Sequence, residues 1–156
     1  MENSGSKSVS MIRFVLAFLA VKVVAMAGSM LYSLATDATI SVPATVVTIV
    51  AASIAMAWYA KAENRPMSPS EIFRFSAGNT LCDVGLSVVW GIWTLWIFGL
   101  PFSWEGLGAL LGLNAHDAQN VFAAGLVMGG VAVFAISAVL AWSMSRKLPK
   151  RAEPGR

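Results

Sequence analysis

The chain has one cysteine, Cys82, and one histidine, His116, in 156 residues. A lone cysteine permits no intramolecular disulfide. Together the two residues fall short of the His/Cys ligand sets that zinc takes, which excludes a stapled secreted framework and a zinc domain. Charge is scarce too: 12% of residues are Asp, Glu, Lys or Arg, about half the share usual in soluble domains. Hydrocarbon takes their place, at 57% of the chain. A chain of this size cannot hide so much apolar surface in one aqueous core, because small domains bury only part of what they expose. The expected solvent is lipid, and the bilayer is the first expected partner. The net charge of +3 does not point to nucleic acid, since the basic residues stand in short tracts beside apolar runs rather than on one face of a folded domain.

The apolar runs predict four spans. The first, 14–34, covers 21 residues, or about 31 Å of helix against a hydrocarbon core of about 30 Å. Ala25-Met26-Ala27 before Gly28 imitates a signal-peptide cleavage site, but Lys22 interrupts the apolar region and hydrophobicity continues to Leu34, so the segment reads as a retained span. The second, 42–60, opens with Pro43 in its first turn and is rich in β-branched residues. A lone strand would leave its backbone unsatisfied in lipid, so helix is expected there as well. Ser68-Pro69-Ser70-Glu71 reads as a capping box with proline at the first helical position, starting a third helix whose span covers 77–100. Trp90, Trp93, Trp96 and Trp104 gather toward its far end as an aromatic belt, with Trp90 deep enough to pack on a neighbour. Segment 104–113 is too short to span and is expected to lie on the outer surface or re-enter shallowly. Its Gly106, Gly108 and Gly112 imitate a dinucleotide loop, but no strand precedes them. The fourth span, 121–142, carries Gly125 and Gly129 as a G-x-x-x-G pair, read as close packing within the bundle ahead of a dimer face.

Lys and Arg number two in the N-terminal segment 1–13, three in the loop between the second and third spans, and five in the C-terminal segment 143–156. The two opposite connections have none. This bias predicts an all-α, integral membrane four-helix bundle, residues 14–142, with both terminal segments cytoplasmic.

The end of the second span, Ala-Ala-Ser-Ile-Ala-Met-Ala at 51–57, and the following Arg65-Pro66 with Glu71 resemble a group of small, uncharacterised bacterial inner-membrane proteins with four predicted spans. The likeness covers about the middle third of the chain. It implies a four-helix protein of the bacterial inner membrane and brings no activity with it.

Lys22 and Asp83 are the formal charges set deep in spans, each costing about 2.5–3.5 kcal/mol at a helix centre. They lie at comparable depth on helices that run in the same direction, and a lysine stem can close the remaining gap. Asn79, one turn before Asp83, is expected to share that face and complete a polar cluster with Thr80 nearby. Two uses fit such a pair, a fastener between helices or a proton or ion relay; the third alternative is that the two do not touch and Lys22 extends to the cytoplasmic interface. Asn114, His116 and Asp117 read as the cap of the fourth helix. No nucleophile, base and oxyanion set emerges. The sequence therefore predicts no enzyme, cofactor or metal, but a structural or accessory membrane protein with a homo-oligomeric or membrane-protein partner. The alternative is a small oligomeric transporter or channel built on Lys22 and Asp83.

Overall fold

In hydrocarbon a backbone must satisfy its own hydrogen bonds, and the described chain does so with helices alone. The computed structural model describes residues 10–36 and 43–148, and the side chains of Ser33 and Leu34 lie outside that description. Most of the two expected terminal segments and the connection around Asp37 fall outside it too. The helices are α1 (Ile12–Thr36), α2 (Ala44–Glu63), α3 (Pro69–Ile97), α4 (Trp104–Leu111) and α5 (Ala115–Ser145). All but α4 are long and apolar enough to cross a membrane. At 29 and 31 residues, α3 and α5 run to about 43 and 46 Å and outlast the hydrocarbon core. The expected spans therefore begin inside these two helices rather than at their ends.

The helix ends follow local chemistry. Pro43 precedes α2 instead of occupying its first turn: its ψ of 129° is extended, as an N-cap position requires. Its carbonyl still accepts from Val46 at 2.9 Å and Val47 at 3.3 Å. Asn64 closes α2 in the left-handed region at φ 46°, which asparagine tolerates better than most residues. At the start of α3 the expected capping box is complete. The Glu71 amide donates to Ser68 Oγ at 3.3 Å, and the Ser68 amide donates to Glu71 Oε2 at 2.9 Å. Asn114 caps α5 by accepting from the Asp117 amide at 2.9 Å.

The glycines of 104–113 serve backbone approach. A Cβ on Gly106 would stand 2.0 Å from the Pro101 carbonyl oxygen, and one on Gly108 would stand 2.6 Å from that of Leu113. Gly112, at φ 68°, ends α4. The short helix thus folds back on its own flanks and packs on α5.

The basic termini of α1, α2, α3 and α5 share one end of the bundle, and α4 lies at the other. Side-chain packing is concentrated at the basic end, where Phe14, Phe18, Ala51, Ala52, Ala55, Met56, Tyr59, Phe75 and Ala141 are fully buried. Phe14 meets the Tyr59 ring edge-on, with centroids 5.2 Å apart. In lipid, apolar transfer does not draw helices together; close packing and interhelical polar contacts do, which favours small residues at the seams. Gly78 is one such seam, since a Cβ there would stand 2.7 Å from Val15 Cγ2 on α1. Gly130 is another, 3.4 Å from Thr80 Cγ2. Gly125 and Gly129 do not pack within the bundle as expected: both are exposed, and a Cβ on either meets nothing of this chain within 4 Å. The G-x-x-x-G spacing is real, but the face of α5 turned to α3 is the one bearing Gly130. Trp90 also differs from expectation. It is 38% exposed, and its ring contact is with Trp93 on its own helix.

Candidate functional site

Lys22 and Asp83 meet. The Lys22 ammonium donates to Asp83 Oδ1 across α1 and α3, and the side chains keep only 8% and 17% of their exposure. Lys22 is the last buried residue of α1 among the described side chains. It continues the stripe Met11, Phe14, Phe18 at steps of three and four, so the face that packs the core also aims the charge inward. Its ammonium stands 5.4 Å from the Phe18 ring centroid.

Asn79 does not join this pair. Its side chain is fully buried, and its Nδ2 donates to Ser137 Oγ of α5 at 3.2 Å. One α3 face therefore holds two different neighbours, α1 through Asp83 and α5 through Asn79. Thr80 is occupied locally, donating to the Ser76 carbonyl at 2.9 Å. Thr48 and Ser87 likewise donate to carbonyls four residues back, a route by which hydroxyls enter a membrane helix without exposed donors. Three buried atoms, Tyr59 Oη, Ser76 Oγ and Asn79 Oδ1, have no hydrogen-bond partner among the described residues.

A second polar cluster stands at the basic end. Arg65 grips the Glu71 carboxylate with both nitrogens, Nη1 to Oε2 at 2.9 Å and Nη2 to Oε1 at 2.5 Å. The same carboxylate closes the capping box, so it fixes both the α2–α3 loop and the start of α3. Its hydrogen bonding raises the Arg65 pKa further above its ordinary value. Arg13 bridges to Glu63, tying the start of α1 to the end of α2.

The structure brings Ser68 to Glu71 and Lys22 to Asp83; the sequence reading missed Arg65 as the partner of Glu71 and Ser137 as that of Asn79. Ser137 had a legible signal. It lies eight residues from the basic end of α5 and Asn79 ten from that of α3, depths within about 3 Å of each other. Of the motif at 51–57, Ala51, Ala52, Ala55 and Met56 form the buried face of α2, and Arg65 with Glu71 is the clamp just described. The stretch that carries the family resemblance is thus occupied with packing and loop closure. Against family models, curated proteins and solved structures, the chain finds no match.

Proposed function

We propose that this chain is a non-enzymatic, multi-pass protein of the bacterial inner membrane with both termini cytoplasmic, acting in a structural or accessory role through lipid and a membrane-protein or identical partner. The observation that carries the reading is that the deep charges Lys22 and Asp83 are turned on each other. Asn79 and Ser137 do the same one level below, so interior polarity joins α1 to α3 and α3 to α5. The orientation is supported by the described basic residues other than Lys22, which all stand at the end bearing the α2–α3 loop. The likeness of 51–57 and of Arg65-Pro66 with Glu71 to small bacterial four-span proteins supports the membrane assigned. Reporters fused after Ser145 should read cytoplasmic and one inserted near Ala115 external; an external reading after Ser145 overturns the orientation.

A second reading, a small oligomeric transporter or channel, is favoured by a cavity of about 390 Å³ bordering the pair. Proteoliposomes loaded with a pH-sensitive dye separate the two. The accessory role expects no proton flux above that of empty liposomes. A pH-driven flux abolished by Asp83→Asn replaces it with transport.

A further inference from the structure

Beyond the Lys22–Asp83 level the four long helices part, and the space between them is the cavity of about 390 Å³ that reaches the first turn of α2 at Ala44 and Thr45. Most of its wall is hydrocarbon, from Ala25, Met26, Val47, Leu86, Val133 and Ile136. Its hydroxyls are those of Ser29, Thr45, Thr48 and Ser87; Ser29 donates to the Met26 carbonyl at 2.8 Å, and Thr45, in the first turn of α2, makes no side-chain hydrogen bond among the described residues and keeps its donor. Thr48 and Ser87 have each given their only hydroxyl hydrogen to a carbonyl, at 2.9 Å, of Ala44 and Asp83 respectively. They present lone pairs alone. Lys22 engages one oxygen of Asp83, and the other takes no hydrogen bond among the described residues. The Lys22 side chain is 8% exposed and offers the cavity little of its remaining donors. Beside the ion pair the polar edge of this cavity therefore accepts hydrogen bonds and scarcely donates them, while the one free hydroxyl donor, Thr45, stands at the α2 end.

We infer that the cavity is a binding site for a small neutral amphiphile, whose hydroxyl or amide N–H donates to the free oxygen of Asp83 while its apolar body lies among the hydrocarbon side chains. Beside the pair, a carboxylate or phosphate would face acceptors. An ammonium would find acceptors, but it would turn a pair of zero net charge into a buried net positive charge, which a low-dielectric bundle opposes. A neutral donor satisfies the free oxygen and leaves the charge balance alone. Water by itself suits the site poorly, because each buried water needs two to four polar partners and the polar groups here are few against the hydrocarbon. Divided by about 30 Å³ per water-sized group, the volume admits about a dozen heavy atoms, at the small end of ligand sites.

The test uses the full chain in lipid nanodiscs and a ten-carbon primary alcohol carrying a diazirine near its far end, with labelled positions read by mass spectrometry. Label is expected to concentrate on Met26, Val133 and Ile136. 1-Decanol should compete at least about tenfold better than decylamine or decanoate. Ala25→Phe fills the cavity while leaving Lys22 and Asp83 themselves unaltered and should cut labelling at those positions by about tenfold. Label spread evenly over the outward helix faces, or unchanged in Ala25→Phe, overturns the site; the amine or the acid competing best overturns the ligand class. The competition series on the unaltered chain decides the matter even if Ala25→Phe does not fold.

Discussion

The Lys22–Asp83 contact makes a sharp energetic prediction. Lys22→Met and Asp83→Leu each remove one charge while keeping a side chain of similar bulk, and each leaves the other charge alone in the bundle. Breaking a buried pair from one side costs about 3–5 kcal/mol in soluble proteins, and a lone charge at a span centre costs about 2.5–3.5 kcal/mol. Polar contacts between membrane helices average only about 0.6 kcal/mol. Two features of this site decide between those scales. The side chains retain 8% and 17% exposure, which places them among buried pairs. That remaining exposure gives a stranded charge partial relief, so each single variant is expected to lose about 2–3 kcal/mol. In the double variant Met and Leu pack against each other and no charge is stranded. Its loss should stay near 1 kcal/mol or below, giving a coupling of at least ~3 kcal/mol. The measurement is unfolding of the purified chain in mixed micelles of rising dodecyl sulfate content, followed by circular dichroism and tryptophan fluorescence. A coupling under about 0.5 kcal/mol, the limit of ordinary additivity, would refute the reasoning. Lys22 would then be extending along its stem toward the basic end instead of holding α3.

Other perturbations separate the roles argued above. Glu71→Ala removes both the Arg65 grip and half of the capping box and should cost about 2–3 kcal/mol in the same unfolding assay. Ser68→Ala loses one cap bond where Pro69 still sets the turn, so about 0.5–1 kcal/mol is expected; equal costs would mean that the Arg65 grip contributes nothing. Gly78→Val should drive a branched side chain into Val15 and lower thermal stability in detergent, and adding Val15→Ala should restore part of the loss; no rescue would show that α1 and α3 do not meet there. Gly130→Leu should destabilise the fold by about 1–3 kcal/mol through overpacking against Thr80 and Val84, whereas Gly125→Leu should leave the unfolding midpoint unchanged, and the reverse order would restore Gly125 as the packing position.

Much of this protein is legible from the sequence because lipid imposes simple rules on a chain. Apolar length dictates helix where backbone groups have no water to bond. Ser68, Pro69 and Glu71 mark the start of α3 because a cap is local chemistry that needs no tertiary partner. Equal depth and parallel direction bring Lys22 and Asp83 together, since a charge in hydrocarbon has few other ways to be satisfied. The rest turns on rotation of each helix about its axis, which hydropathy leaves open when all sides are apolar. That rotation put Gly130, not Gly125 and Gly129, against α3, and gave Asn79 to Ser137 while Asp83, a turn on, went to Lys22. It also made Gly78 the seam with Val15. The cavity was the least legible feature of all. It exists because the large side chains of the core cluster at the basic end while the other half of the bundle is left unfilled, and a volume bordered by four helices belongs to their mutual geometry rather than to any one stretch of sequence.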